Sequence, residues 1–218
     1  MTEFDSDPEA IAAAFGVSRE SVGALAQYVE LLIRWNRAIN LVANSEPGHI
    51  WTRHVADSLQ LHAFLNEGQA VIDLGSGAGF PGIPLAIARA NRAGTSPVYL
   101  VESNRKKAAF LANAVRVTGA IAEVIPRRIE DVGPEDLTPR PAWIVARALA
   151  PLPKLLHLAK PFLQTGAKAL FLKGQDVESE LTAASKSWRI NADVYPSVVD
   201  RSGRILLISH AERMDETS

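Results

Sequence analysis

The sequence of 218 residues contains no cysteine, and this absence excludes several kinds of functional site. Without thiols the chain forms no disulfide, and it offers no thiolate ligand for zinc or for an iron–sulfur cluster. A cysteine nucleophile and radical chemistry that starts from a cluster are excluded for the same reason. The five histidines, at positions 49, 54, 62, 157 and 210, show no spacing typical of metal ligands. We therefore expect no bound metal.

Long hydrophobic runs are also missing from the sequence. No run approaches the roughly 20 apolar residues that a membrane helix needs. The acidic N-terminal stretch lacks the basic and apolar regions of a signal peptide. We therefore expect a cytoplasmic protein that makes no contact with a membrane.

The chain has no excess of charge of either sign, because its 23 basic and 24 acidic residues give a net charge of −1. A strong nucleic-acid binder usually carries a basic surface, so any such surface here must be local. Taken singly, each short basic cluster is explained as solvated surface, but together they could form one patch. These clusters are Arg53-His54, Arg105-Lys106-Lys107, Arg127-Arg128, and Arg201 with Arg204.

A glycine-rich turn is the most informative feature that the sequence does contain. Residues 70–74 form a short apolar run that predicts a buried parallel strand. Gly75, Gly77 and Gly79 follow it, and glycines at this spacing let a ligand lie against bare peptide groups. Pro81 and Pro84 fit the first turn of a helix that follows. The pattern predicts a nucleotide-binding turn, with a tight connection that binds no ligand as the alternative.

Two acidic residues narrow the choice of ligand. Asp73 lies two residues before the first glycine, a position usually small or apolar in nicotinamide enzymes and acidic in methyltransferases that use S-adenosylmethionine. Glu102 ends the apolar run 97–101, where a carboxylate at the tip of a strand can accept hydrogen bonds from both ribose hydroxyls. Since both enzyme classes use such an acid, Glu102 alone does not separate them.

The chain divides into two parts by pattern. Residues 1–66 predict a helical segment, with helices that begin near Asp7 and Ser18 and a third from about Ile50 to Leu65. Residues 67–218 alternate strands with helices, as βαβ units do. The predicted strands are 70–74, 97–101, 121–125, 142–146, 167–172, 194–199 and 204–209, the last two forming a hairpin.

This pattern predicts an α/β fold of the Rossmann-like type found in S-adenosylmethionine-dependent methyltransferases. Its sheet would have seven mostly parallel strands with a terminal antiparallel hairpin, preceded by the helical segment. Such a hairpin is less expected of a nicotinamide-binding domain.

The chain resembles the bacterial 16S ribosomal RNA guanine-N7 methyltransferases, also known as the glucose-inhibited division protein B family. The resemblance spans nearly the whole length, and its strongest marker is the proline–glycine extension of the turn, Gly79-Phe80-Pro81-Gly82. The other shared motifs are Trp35-Asn36 with Asn40-Leu41, Arg53-His54 with Asp57-Ser58-Leu59, Arg147-Ala148 and Leu172-Lys173-Gly174.

The resemblance implies a set of residues that hold S-adenosylmethionine, namely Asp73, Gly75, Gly77, Phe80, Glu102, Ile129, Glu130 and Arg147. Within this set, Glu102 would hold the ribose, and Ile129 with Glu130 would read the adenine edge. Arg147 would lie where cofactor and target base meet, as the catalytic residue. Its guanidinium could pair with the methionine carboxylate or donate to guanine, and a structural ion pair is the alternative.

The resemblance also implies a reaction and a partner. Guanine N7 would attack the sulfonium methyl in line, and because N7 carries no proton the reaction needs no general base. The partner would be 16S ribosomal RNA within a small-subunit particle, bound by a monomer through Arg53, His54 and Lys173. A structural role for His54 and a plain surface position for Lys173 remain open.

Two other functions remain open from the residues. A nicotinamide-dependent oxidoreductase would share the glycine turn. A non-catalytic ribosome assembly factor would keep the cofactor-binding fold as a relic, without the methyltransferase activity.

Overall fold

A seven-stranded sheet forms the centre of the computed structural model, which describes residues 6–66, 68–90 and 94–214. Its strands run in the order β3-β2-β1-β4-β5-β7-β6, and β1 to β5 are mutually parallel. The last two strands are antiparallel. The strands are β1 (Val71–Leu74), β2 (Val98–Val101), β3 (Ala122–Ile125), β4 (Trp143–Arg147), β5 (Lys168–Lys173), β6 (Trp188–Pro196) and β7 (Arg204–Arg213). The predicted fold class is confirmed.

Eight α-helices accompany these strands within the described residues. They are α1 (Pro8–Ala14), α2 (Arg19–Asn36), α3 (Pro47–Ile50), α4 (Ala56–Leu59), α5 (Gly82–Arg89), α6 (Arg105–Thr118), α7 (Leu152–Leu163) and α8 (Val177–Ala184). Side chains cap three of the helices at their first turns. Asp7 accepts hydrogen bonds from backbone amides of α1, Ser18 accepts one from α2, and Asn104 accepts two from α6. Gly119 ends α6 in the left-handed conformation.

The two faces of the sheet support two hydrophobic cores. On one face, Val71, Leu100 and Val145 belong to the same core as Tyr28 of α2 and Phe110 of α6. The other core contains Ile72, Leu74 and Tyr99 of the sheet together with Leu156 and Phe162 of α7. Alternate residues of each strand point to opposite faces, so the central strands β1, β2 and β4 are buried on both faces and mostly apolar, with Asp73 as a buried acid among them. The N-terminal helices share a core with the sheet, and the boundary at 66/67 stays a prediction.

The third helix differs from its prediction. It is helical from Pro47 to Phe64, but its centre, Trp51–Val55, is a π-helical turn and its last turn, Gln60–Phe64, is a 3₁₀ turn. Such π turns are common at functional sites, where the extra residue redirects side chains. Here the π turn carries Arg53 and His54.

The final hairpin was predicted with wrong boundaries. The prediction placed its first strand at 194–199, but β6 covers Trp188–Pro196, and β7 continues to Arg213 instead of ending at 209. The β6 strand alternates buried or half-buried apolar residues with exposed polar ones, as an edge strand that is covered on one face does. The largely apolar run 194–199, from which the strand was predicted, therefore covers only the last three residues of β6.

Candidate active site

The glycine-rich turn after β1 is shaped by backbone conformation and by close packing. Gly75 and Gly77 have φ values of 70° and 57°, which residues with a β-carbon rarely adopt. A β-carbon on Gly75 would lie 2.6 Å from Leu149 Cδ1, whereas one on Gly77 would meet nothing closer than 3.8 Å. The turn therefore leaves open space beside Gly77.

Asp73 organises this turn from below. Its side chain is fully buried, and Oδ2 accepts a hydrogen bond of 3.1 Å from the backbone amide of Gly82, at the start of α5. Among the described residues, Oδ1 has no hydrogen-bond partner. Burial raises the pKa of Asp73 to about 7, against the lowering effect of the Gly82 amide. Asp73 thus lies beneath the turn and does not line the cavity above it.

A cavity of about 430 Å³ opens above the turn, at the carboxyl ends of the parallel strands. This first cavity has the place and size typical of a ligand site in an open α/β sheet. It brings together most of the predicted cofactor residues, namely Gly75, Gly77, Phe80, Glu102, Ile129, Glu130 and Arg147.

Glu102 connects the turn to the neighbouring strand. Its Oε2 accepts a hydrogen bond of 2.9 Å from the Gly77 amide, and Oε1 accepts one of 2.7 Å from the Asn104 amide. A carboxylate has about four acceptor positions, so capacity for a ribose hydroxyl remains. Glu102 fixes the shape of the turn and also faces the cavity.

Arg147 lies at the end of β4, with its side chain 19% exposed. Its Nη1 donates to His54 Nδ1 at 2.8 Å and forms an ion pair with Asp57 Oδ2 at 3.6 Å, so Arg147 makes a structural ion pair at the place where it faces the cavity. The guanidinium carbon lies 4.9 Å from the centre of the Phe80 ring, a cation–π contact. The next residue, Ala148, has a φ of 50°, a strained conformation of the kind that clusters at functional sites.

His54 is a neutral acceptor for this arginine. Burial, together with the positive charge of Arg147, lowers the pKa of His54 to about 3. Because a guanidinium can only donate, Nδ1 must accept and the ring proton lies on Nε2. The ring also lies against Phe80, with centroids 5.0 Å apart. His54 thus braces the residues around Arg147.

A second cavity, of about 410 Å³, lies on the other side of Arg147. The three predicted RNA-binding residues, Arg53, His54 and Lys173, all line it, and Arg147 and Ala148 line both cavities. The two cavities therefore adjoin at the end of β4.

Lys173 and Arg53 are both paired. Lys173 is only 9% exposed, and its Nζ lies 2.6 Å from Glu180 Oε2 and donates to the Ala150 carbonyl at 3.2 Å. It is therefore neither a plain surface lysine nor an unpaired cation. Arg53 is more exposed and forms an ion pair with Asp200, in the turn between β6 and β7.

Several residues of the site were not predicted from the sequence. Leu41 and Val42 cover the first cavity, and the side chain of Asn36 holds their loop through hydrogen bonds to both amides. Asn36 and Leu41 belong to motifs of the resemblance, to which no role was assigned. Asp57 was also part of a motif, and it lines the second cavity. Burial raises its pKa, against the effect of Arg147.

The basic clusters gather at one edge of the sheet. Arg105 begins the helix after β2, and Arg127 and Arg128 follow β3. Arg204 begins β7, opposite Lys173 at the end of β5, so the β6–β7 turn with Arg201 lies at this edge too. Arg53 contacts this turn through Asp200. The carboxyl edge of the sheet therefore carries a local basic surface on a nearly neutral chain.

Comparison with known proteins identifies the family. The family model GidB, described as rRNA small subunit methyltransferase G, matches residues 21–205. The chain belongs to the GidB family. A ribosomal RNA small subunit methyltransferase G from Rhodopseudomonas palustris is 45% identical, over 99% of this chain and 92% of that protein. One from Rhodospirillum centenum is 50% identical, over 90% and 88%.

Solved structures agree with this fold. A SAM-dependent methyltransferase from Aquifex aeolicus aligns with a TM-score of 0.57 at 17% identity, covering 75% of this chain and 93% of that one. TYW2 from M. jannaschii in complex with AdoMet aligns with a TM-score of 0.54 at 16% identity, covering 74% and 76%. Membership of the GidB family confirms the prediction of a methyltransferase that uses S-adenosylmethionine. It gives no support to a nicotinamide enzyme or to a relic fold.

Two features are absent from the described residues. Throughout the described part of the chain, no helix is long and apolar enough to cross a membrane. Over the same residues, no group of three or more histidine or acidic side chains is placed to hold a metal ion.

Proposed function

We propose that this protein transfers the methyl group of S-adenosylmethionine to N7 of a guanine in 16S ribosomal RNA. The observation that carries the proposal is the pair of cavities that share Arg147. One cavity lies over a glycine turn with a carboxylate at its rim, and the other lies on the basic edge of the sheet. A donor and an acceptor bound in these two places would meet beside one arginine.

The first cavity fits S-adenosylmethionine by size and by chemistry. Gly75 and Gly77 would present bare backbone, and Glu102 would accept from the ribose. Ile129 and Glu130 would line the adenine end, while Phe80 and Arg147 would lie at the other end. When bound, the cofactor supplies an electrophilic methyl group on a positively charged sulfur. Asp73 would support this site from below through Gly82.

The residues around Arg147 suit an acceptor that has a lone pair and no proton. The end of β4 reads Ala146-Arg147-Ala148-Leu149, without the Asn or Asp followed by prolines that exocyclic-amine methylases place there. N7 of guanine needs no general base, so the contribution of the protein is orientation, desolvation and charge stabilisation. A bidentate contact from Arg147 to O6 and N7 would occupy the lone pair that must attack. The proposed role of Arg147 is therefore one in which it does not donate to N7.

The basic edge suits a ribosomal RNA partner. Lys107, Arg127 and Arg128 line the first cavity, and Arg53 and Arg204 line the second, so cations surround both openings. Phosphate contacts of this kind position RNA without reading its sequence. Because the net charge is only −1, we propose that a small-subunit particle in the cytoplasm presents the guanine to a monomer of this protein.

Methylation of small-subunit particles tests this function. Particles from a strain that lacks the corresponding methyltransferase are incubated with the protein and S-adenosylmethionine, and their nucleosides are analysed by mass spectrometry. We expect N7-methylguanosine in the 16S RNA. Its absence, or methylation of another base or atom, would contradict the proposal. Gel filtration of the free protein tests whether it is a monomer.

A further inference from the structure

We propose that the second cavity is the pocket for the target guanine, and that Asp57 together with Arg147 selects guanine over adenine at its Watson–Crick edge. The inference rests on the proposed function and names the residues that give it base specificity. The arrangement of donors and acceptors at the wall between the two cavities supports it.

Asp57 is a held acceptor at this wall. Its side chain is 13% exposed, and its Oδ1 accepts a hydrogen bond of 2.7 Å from Gln60 Nε2. Gln60 is itself fixed, because its Oε1 accepts from the backbone amide of Val198 at 3.1 Å. The Asp57 carboxylate is therefore oriented before any ligand arrives.

The other carboxylate oxygen, Oδ2, forms an ion pair with Arg147 Nη1 at 3.6 Å, which is longer than a hydrogen bond. Oδ2 therefore remains able to accept a hydrogen bond from a ligand. The other acids of the second cavity are held by closer partners. Glu180 accepts from Lys173 and from the Leu152 amide, both at 2.6 Å, and Asp200 pairs with Arg53. Asp57 is thus the acid best placed to receive new donors.

Arg147 supplies the donor next to this acceptor. Its Nη1 is directed to His54 and to the Arg53 carbonyl, which fixes the guanidinium plane. Within the described contacts, Nε and Nη2 make no hydrogen bond, so a ligand can use them. The wall of the cavity therefore offers a donor beside an acceptor, in a fixed order.

Guanine matches this order and adenine reverses it. Guanine presents its O6 acceptor beside the N1–H and 2-amino donors, so Arg147 can donate to O6 while Asp57 accepts from N1 and the amine. Adenine presents a 6-amino donor beside the N1 acceptor. In the same position, the Arg147 donor would face the amino group and the Asp57 acceptor would face N1, so neither hydrogen bond could form. In this arrangement Arg147 would contact O6 alone, so N7, which lies on the other side of O6, would keep its lone pair free.

Nucleotide binding tests the inference. We would measure the binding of GMP, IMP and AMP to the protein saturated with S-adenosylhomocysteine, by ligand-observed NMR titration. IMP lacks only the 2-amino group, so the wild-type protein should bind GMP about tenfold more tightly than IMP, and AMP most weakly. Asp57→Asn should lose the preference for GMP over IMP. Asp193→Asn, which neutralises an exposed acid on β6, is the matched control and should keep it.

The outcomes separate the inference from the function on which it depends. Equal binding of GMP and IMP by the wild-type protein, or no binding of GMP, would overturn the inference. Both results come from the wild-type protein, so they do not depend on whether a variant folds. A preference for GMP that survives Asp57→Asn would overturn it as well. Each result is interpreted beside methylation of particles by the same wild-type preparation, because loss of that activity would instead contradict the proposed function.

Discussion

Replacing Gly77 with alanine tests whether the open space above the glycine turn is the place where the cofactor lies. The φ of Gly77 is 57°, so alanine strains the backbone, by about 1–2 kcal/mol. Its added β-carbon would meet no protein atom closer than 3.8 Å, so the fold itself has room for it. The substitution should therefore lower Tm by about 2–8 °C for a domain of this size.

Cofactor affinity should respond more strongly than stability. A methyl group in a space that the ligand occupies costs about 1–3 kcal/mol, by analogy with overpacked cores. We therefore expect the Kd for S-adenosylmethionine, measured by isothermal titration calorimetry, to rise about 5- to 150-fold. Substitution of Gly75 would be harder to interpret, because its β-carbon collides with Leu149.

Gly119 provides the matched control. It has a φ of 65°, a β-carbon added to it would meet nothing within 4 Å, and it ends α6 away from the first cavity. Gly119→Ala should show a similar loss of Tm with an unchanged Kd. If Gly77→Ala binds the cofactor as tightly as Gly119→Ala does, the proposed position of the cofactor is wrong.

Three further predictions test other parts of the site. Arg147→Lys should lower the rate of methylation about 100-fold without changing the Kd for S-adenosylmethionine, and a raised Kd would instead assign Arg147 to the cofactor carboxylate. Lys173→Met should lower Tm because it leaves the Glu180 carboxylate without its cation, and the addition of Glu180→Gln should restore part of the loss in thermal melts. The raised pKa of Asp73 means that the folded state binds more protons than the unfolded state between pH 3.8 and about 7, so this group reduces stability as the pH rises through that range. Asp73→Asn should remove that part of the pH dependence in denaturant titrations, and an unchanged profile would refute the assignment.

Local spacing made much of the site predictable. Gly75 and Gly77 directly follow β1, and Glu102 directly follows β2. Each therefore belongs to a short pattern in which a predicted strand is followed at once by a residue of the site. Because parallel strands present their carboxyl ends at one edge, Arg147 could also be placed at this edge from the sequence. The glycine turn and strand order together fix these positions without any knowledge of distant contacts.

The rest depended on contacts between distant segments. The role of Asp73 at the cofactor stays a prediction, but its contact with the amide of Gly82 could not be predicted; a β-carbon on Gly82 would collide with Leu100 and with this carboxylate. The pairing of Lys173 with Glu180 requires α8 to fold back on β5. The loop with Leu41 reaches the cavity only through the packing of α2. No local pattern reveals such contacts.

The gathering of arginines and lysines at one edge has a consequence for how the molecule moves toward its partner. Several of these cations have an acid beside them at the same edge, as Arg53 has Asp200, Arg127 has Asp136 and Lys173 has Glu180. Their charge is therefore partly compensated locally, and exposed charges are screened beyond about 8 Å at physiological ionic strength. The attraction to a polyanion acts mainly at short range, so it holds the edge with both openings against the partner and contributes little to a distant approach.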